Sequence, residues 1–280
     1  MRIHFTGIAG AGMSAVALMM RDAGHQVSGS DADVFPPMST YVAGLGFPVT
    51  YRFDAANLPL DLDVLVLGAS AKLGGDDNPE VLAARSRGVA ITNFAELVGR
   101  FTGDRINTVI AGSFGKSTCT ALMAHILRQA GVDAGWMIGA ISASLPETGH
   151  WGQAPDMVLE GDEYIIGNGD LRSKFALYHP QHLLLTSLIH DHVNVFPTFA
   201  DYEAPFIDLL KGLPADGLCV LRNHPAIQAV APEARARVVW YDTEPCEGWF
   251  SRDVAYGETS TFTLVGPRGQ ALDLATRLLG

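Results

Sequence analysis

A chain of 280 residues has room for one large or two medium domains, and with 48% hydrophobic against 18% charged residues it buries a core and is not a disordered chain. A net charge of −11 argues against the basic face that a nucleic-acid partner wants, while leaving open phosphates held by backbone amides and one or two lysines. The three cysteines, Cys119, Cys219 and Cys246, show no CxxC spacing, which disfavours a disulfide framework or zinc site and fits a reducing cytoplasm, and no run is long enough to span a membrane.

The chain opens on a short strand, Arg2–Phe5, a glycine loop, Gly7–Gly12, and a helix from Met13 to Ala23 closed by Gly24. Glycines and polar residues interrupt the apolar stretch that ends at Met20, so strand–loop–helix explains it better than a secretory signal. Gln26–Ser28 reads as a second strand leading into Gly29-Ser30-Asp31, and Val64–Leu67 is continuously apolar, as a strand buried on both faces should be. A helix from Pro79 to Gly88 and a strand at Ala90–Thr92 complete a parallel, doubly wound pattern. The polar, glycine-containing segment Arg100–Arg105 marks a boundary, dividing the chain into domains at 1–104 and 105–280.

A second cycle then begins. Strand Thr108–Ala111 enters another glycine loop, and a helix runs from Ser117 to Ala130, stopped by Gly131. Further strands are read at Met157–Leu159, Leu183–Leu185, Leu218–Leu221 and Val238–Trp240, with a helix over Asp201–Leu210. The end is β-rich: Ser260–Val265, a turn at Gly266–Gly269, and Ala271–Ala275.

The first loop lets backbone approach a diphosphate at a helix N-terminus, where negative charge is favoured. Gly10-x-Gly12-x-x-Ala15 with Asp31 also fits a loose dinucleotide fingerprint, so the residues alone admit an NAD-type site or a plain tight turn as well. The second loop, Gly112-Ser113-Phe114-Gly115-Lys116-Ser117, ends as a Walker A loop does. The strict motif wants glycine at 110, where Ile110 stands, so the loop is a shortened variant. Its amides can cradle phosphates, Lys116 can reach the terminal ones, and the Ser117 hydroxyl can bind magnesium.

Glu160-Gly161-Asp162-Glu163 and His190-Asp191-His192 follow two more of the strands. Ligands gather outside the carboxyl ends of parallel strands, so Lys116-Ser117, Glu160 and Asp191-His192 together suggest a magnesium site, not zinc. Asp76-Asp77 reads as a solvated loop. Lys174, in Leu171-Arg172-Ser173-Lys174-Phe175, reads as a surface basic cluster, with a second phosphate or metal-bridging contact as the alternative.

On these motifs the chain resembles the Mur ligases, which build the peptide stem of the bacterial cell wall. Gly7–Ser14 resembles the family's loop for a UDP-sugar diphosphate, Gly112–Thr118 its shortened P-loop, and Glu160–Glu163 and Asp191-His192 its magnesium motifs. Ser28–Asp31, Pro36–Thr40 and Arg172–Phe175 are most similar to the muropeptide-recycling branch, with the alanine-adding branch close behind. The resemblance implies a Rossmann-like UDP-sugar domain followed by a P-loop-type α/β ATPase domain. It also implies ATP and Mg2+ as cofactors. The expected substrates are UDP-N-acetylmuramate and an amine acceptor, the tripeptide L-alanyl-γ-D-glutamyl-meso-diaminopimelate or L-alanine, joined through an acyl phosphate in the cytoplasm.

By the same resemblance Gly7, Ala9, Gly10, Ala11, Gly12, Met13, Ser14, Asp31 and Ser70 would bind the UDP-sugar. Gly112, Ser113, Phe114, Gly115, Lys116, Ser117 and Thr118 would bind ATP. Lys116, Glu160 and His192 would be catalytic, and Ser117, Glu160 and His192 would hold the metal. Ser113, Phe114 and Ser117 replace the Thr, His and Thr usual in that P-loop, Gly161 stands where alanine is usual, and Ile165 and Asn194 where Asp tends to stand. Gly280 resembles the first residue of a Gly-x-His-Asn adenine segment, so the chain read alone is expected to bind nucleotide weakly and not to form the amide. The competing expectations are an NAD-dependent dehydrogenase and a non-catalytic UDP-sugar-binding module.

Overall fold

The computed structural model describes residues 1–32, 34–70, 73, 77–167 and 169–277; Asp76 and Gly280 lie outside them. The first part runs β1 (Arg2–Thr6), α1 (Ala11–Asp22), β2 (Gln26–Ser30), α2 (Met38–Ala43), β3 (Val49–Thr50), β4 (Val64–Leu67), α3 (Pro79–Ser86), β5 (Ala90–Asn93) and α4 (Phe94–Thr102). Its strands form one parallel sheet in the order β3-β2-β1-β4-β5. Every residue of β4 is buried, as its unbroken apolar sequence demands.

Two helices of this first part go beyond the elements expected from sequence, as does the helix Pro225–Val230 in the second. α2 is short, with only Val42 buried. α4 starts directly from β5, capped by the Asn93 side chain, which accepts the Glu96 N–H at 2.9 Å. Arg100–Thr102, expected in a linker, are the last turn of this helix, and Thr102 is buried with its hydroxyl on the Val98 carbonyl.

The second part contains β6 (Ile106–Ala111), α5 (Lys116–Gln129), β7 (Gly135–Met137), β8 (Gly149–His150), β9 (Asp156–Glu160), β10 (Ile165–Gly167), β11 (Asp170–Ser173), β12 (His182–Leu185), α6 (Phe199–Gly212), β13 (Leu218–Arg222), α7 (Pro225–Val230), β14 (Arg237–Asp242), β15 (Trp249–Ala255), β16 (Ser260–Val265) and β17 (Ala271–Thr276). A single sheet has the order β17-β16-β15-β14-β13-β12-β6-β9-β7-β8, while β10 and β11 form a separate hairpin. From β7 to β15 the pairings are parallel; β8 on one edge and β16–β17 on the other are antiparallel. The β-rich end is therefore an extension of the P-loop sheet. β6 lies between β12 and β9, with Ile110 opposite both Leu184 and Glu160. That register brings the exits of all three strands together.

α1 is buried from Met13 to Met20, because it packs on β2 and α4 and also on β7 and β8 of the second sheet. Beneath the exits of β1 and β2 lies a fully buried carboxylate, Glu80, near the start of α3. One oxygen accepts the hydroxyls of Thr6 at 2.7 Å and Ser30 at 2.6 Å; the other accepts Asn57 Nδ2 at 2.7 Å. With His4 Nε2 at 3.6 Å, these donors hold its pKa below the usual carboxylate value despite the opposing effect of burial, the largest single influence. Among the described residues no helix is long and apolar enough to cross a membrane.

Candidate active site

The two glycine loops share a construction. In the first, Gly7 and Ile8 N–H donate to the Ser30 carbonyl at 2.8 and 3.1 Å, and Ala9 N–H donates to Asp31 Oδ2 at 2.7 Å. Gly7 has φ +88, where a side chain would be strained. These bonds consume the early amides to shape the loop. The amides of Ala11, Gly12 and Met13, the first turn of α1, have no partner among the described residues and are the donors left for an anion.

In the second loop Gly112 and Gly115 have φ +133 and +83. Ser113 N–H donates to the Ser187 carbonyl at 3.3 Å and Phe114 N–H to the Ser187 hydroxyl at 2.9 Å. Thr186 Oγ1 donates to the Phe114 carbonyl at 2.6 Å. The amides of Lys116, Ser117 and Thr118, at the start of α5, again have no partner among the described residues. Ser113 is turned away from that mouth. Its hydroxyl donates to the Ile189 carbonyl at 2.7 Å and accepts from Tyr202 OH at 2.9 Å. The Tyr202 phenol is pushed well above its usual pKa by burial, so it stays a donor. Phe114 presents its ring half exposed at the rim.

Three strand exits meet in front of this loop. Lys116 Nζ donates to the Gly112 carbonyl at 2.6 Å and lies between the oxygens of Glu163, at 3.1 and 2.9 Å. Ser117 Oγ donates to Glu160 Oε1 at 2.8 Å, and Gly139 N–H donates to Glu160 Oε2 at 2.8 Å. Burial raises the Glu160 pKa; the Gly139 and Ser117 hydrogen bonds and the Lys116 charge oppose that rise without cancelling it. His192, at φ +52, is held by its own N–H on Asp191 Oδ1 at 2.6 Å. Its Nε2 lies 3.2 Å from Glu163 Oε1. The ligand atoms of Glu163, Asp191 and His192 fall within 4.8 Å of one another.

A cleft of about 270 Å³ joins the two loops: Ala11 and Gly12 form one wall, Lys116, Gly139, Glu160, Glu163 and His192 the other. A larger cavity of about 500 Å³ opens on the far side of Ser117 and Thr118, lined by Leu122, His125, Ile141 and Arg277. Glu163, Thr186, Ser187, Tyr202 and Gly139 were not singled out from sequence. Glu163 stood in a quoted motif, but which of its carboxylates faces the lysine depends on the turn after β9. Ser187 and Tyr202 lie 70 or more positions from the loop they brace.

Two expected residues lie elsewhere. Ser70 is exposed at the exit of β4 and lines a separate cleft with Tyr164 and Lys174. Lys174 is not in a surface cluster. It is over nine-tenths buried, its Nζ donates to Asp162 Oδ2 at 2.7 Å, and it lies 5.3 Å from the Tyr164 ring centre and 5.5 Å from that of Phe94. Its short 3-10 turn folds under the β10–β11 hairpin, which sequence did not reveal. Asp77 is exposed, as expected.

Comparison with known proteins gives the same architecture a family. The profile of the Mur ligase family catalytic domain matches residues 2–105, and that of the Mur ligase middle domain matches residues 110–280. The UDP-N-acetylmuramate–L-alanyl-gamma-D-glutamyl-meso-2,6-diaminoheptandioate ligase of Escherichia coli (strain K12) is 34% identical over 218 residues, 78% of this chain and 47% of that protein. The UDP-N-acetylmuramate–L-alanine ligase of Anaeromyxobacter dehalogenans (strain 2CP-C) is 33% identical over 241 residues, 86% of this chain and 50% of that protein. The chain thus spans about half the length of these curated relatives. The crystal structure of UDP-N-acetylmuramate:L-alanyl-gamma-D-glutamyl-meso-diaminopimelate ligase from Neisseria meningitides superposes with a TM-score of 0.87 at 28% identity, over 100% of this chain and 88% of that one. With both of its sheets and both of its glycine loops inside the matched segments, the chain belongs to the Mur ligase family.

Proposed function

We propose that the protein to which this chain belongs forms an amide between the carboxylate of UDP-N-acetylmuramate and the amine of L-alanyl-γ-D-glutamyl-meso-diaminopimelate, using ATP, in cell-wall recycling. The observation that carries the reading is the shared cleft. It sets the free amides of Ala11 and Gly12 across from Lys116, Glu160, Glu163 and His192. Residues 1–104 are assigned to the UDP-sugar and 105–280 to ATP.

A muramate oxygen attacks the γ-phosphorus, the bond to the ADP oxygen breaks, and an acyl phosphate forms. The amine nitrogen then attacks the acyl carbon, loses a proton, and phosphate leaves. The α1 amides hold the diphosphate and so place the carboxylate. The α5 amides and Lys116 bind the triphosphate, and Lys116 exchanges Glu163 for phosphoryl oxygens as charge develops. The cavity beyond Thr118 offers an apolar wall for the adenosine.

The donor set suits a hard divalent cation: the Ser117 hydroxyl and Glu160 carboxylate already touch, and Glu163, Asp191 and His192 converge beside them. Bound Mg2+ would neutralise phosphate charge there. The geometry divides the expected metal set, since His192 contacts Glu163 while Ser117 contacts Glu160.

A single-alanine acceptor is the second reading, favoured by the relative of that name matching at 33% identity over more of the chain. Calorimetry with Mg-ATP and UDP-N-acetylmuramate, then phosphate release with each acceptor, tests both. Tripeptide-dependent release supports the first reading and L-alanine-dependent release the second. Sugar binding without Mg-ATP binding reduces the protein to a UDP-sugar-binding module.

A further inference from the structure

Between the two sheets, consecutive residues on and before β8 each reach an element of the first part. The Glu147 carboxylate accepts two hydrogen bonds from the Arg21 guanidinium, at 3.2 and 2.5 Å. Thr148 N–H donates to Tyr41 OH at 2.9 Å, and that hydroxyl donates to Thr148 Oγ1 at 3.0 Å. Gly149 lies so close to α1 that a Cβ there would overlap the Ala15 carbonyl oxygen. His150 bridges Asp22, the last residue of α1, at 2.8 Å from Nδ1, and Asp133 at 2.9 Å from Nε2.

The other side of this strip leads to the metal-side carboxylate. Ile138 N–H donates to the Thr148 carbonyl at 2.9 Å, and the next amide, Gly139, donates to Glu160. At its opposite end α1 carries Ala11 and Gly12 into the cleft. The strip is therefore the mechanical link between the amides that would hold the sugar diphosphate and the carboxylate beside the phosphate loop.

We propose that residues 147–150 position the two substrates relative to each other, with Gly149 and His150 as positioning residues that touch neither. This rests on the functional reading above. Reacting atoms must approach to about 3–3.5 Å, and a misplacement of about 1 Å costs on the order of 100-fold in rate. Apolar packing alone lets a helix slide along a sheet. The paired carboxylates on His150, the Arg21–Glu147 fork and the missing Cβ at Gly149 fix one register of α1 on β8.

The test reads distance without needing turnover. Mn2+ with a non-hydrolysable ATP analogue is bound to the chain, and its paramagnetic relaxation of the lactoyl methyl protons of bound UDP-N-acetylmuramate is measured. In Gly149→Ala, relaxation should fall about two- to threefold, as the inverse sixth power of distance gives for an outward shift of about 1 Å at close range, while each ligand alone binds within about threefold of wild type. Unchanged relaxation in the folded variant overturns the proposal, as does weaker binding of either ligand by itself. If Gly149→Ala does not fold, the double variant Tyr41→Phe/His150→Gln must show the same loss, and unchanged relaxation there overturns it. Wild-type chain that binds neither ligand overturns the functional reading itself.

Discussion

Lys116 and Glu163 form an ion pair at the mouth of the phosphate loop, with the ammonium 3.1 and 2.9 Å from the two carboxylate oxygens. The carboxylate orients the lysine, and a triphosphate bound as proposed would compete with Glu163 for it. Lys116→Ala should leave the fold intact and weaken Mg-ATP binding by roughly 2–4 kcal/mol, read by calorimetry. Glu163→Gln should do the opposite to metal-free ATP, whose affinity rises when the competitor loses its charge. An unchanged affinity in Lys116→Ala would remove the lysine from the site.

Ser117 Oγ holds one oxygen of Glu160 and the Gly139 amide holds the other. Ser117→Ala removes the hydroxyl proposed as a metal ligand and the restraint on the carboxylate together. The Mg2+ concentration needed for half-maximal ATP binding should rise about 10–100-fold, with little change in thermal stability, because Ser117 is only half-buried. Ser117→Thr keeps the hydroxyl and should restore the wild-type requirement.

Glu80 links β1, β2 and the turn at Asn57 through its two oxygens. Glu80→Ala leaves several buried donors unpaired and should cost about 3 kcal/mol or more of unfolding free energy. Because its pKa is depressed in the folded chain, its ionised form stabilises the fold above the ordinary carboxylate value of about 4.3. That contribution is lost as pH falls through the depressed folded value. In denaturant titrations, the gap between wild type and Glu80→Gln should therefore be full at pH 7 and narrow below about pH 4.

The strand–loop–helix cycles were legible because glycine placement and unbroken apolar runs such as Val64–Leu67 carry their own signals. The convergence of Lys116, Glu160 and His192 also followed from parallel strand order. What sequence could not give was long-range. β7 and β8 have three and two residues, too few to show periodicity, yet they dock α1. The brace from Tyr202 to Ser113 looks like an ordinary buried aromatic until α6 is placed. Lys174 ends a polar run, Arg172–Lys174, and only the hairpin fold turns it inward.

The first glycine loop decides between a UDP-sugar and a dinucleotide, and Asp31 carries the distinction. In an NAD-type site the carboxylate at the end of the second strand receives the ribose hydroxyls. Here Oδ2 accepts Ala9 N–H at 2.7 Å and Oδ1 accepts Ala32 N–H at 2.8 Å, so the carboxylate shapes the loop. Ala11 and Gly12, whose amides have no partner among the described residues, then line the cleft beside the phosphate loop. UDP-N-acetylmuramate at about 100 times its dissociation constant should stabilise the chain by about 2.7 kcal/mol. For a protein of this size that corresponds to a rise in Tm of roughly 4–6 °C. NAD at the same concentration should leave Tm unchanged. Asp31→Ala frees the Ala9 amide and relaxes the loop, so the UDP-sugar should bind about tenfold more weakly, a loss of about 1.4 kcal/mol for one hydrogen bond to a charged group. Stabilisation by NAD but not by the UDP-sugar, abolished in Asp31→Ala, would assign the loop to a dinucleotide and remove the sugar from this end of the cleft.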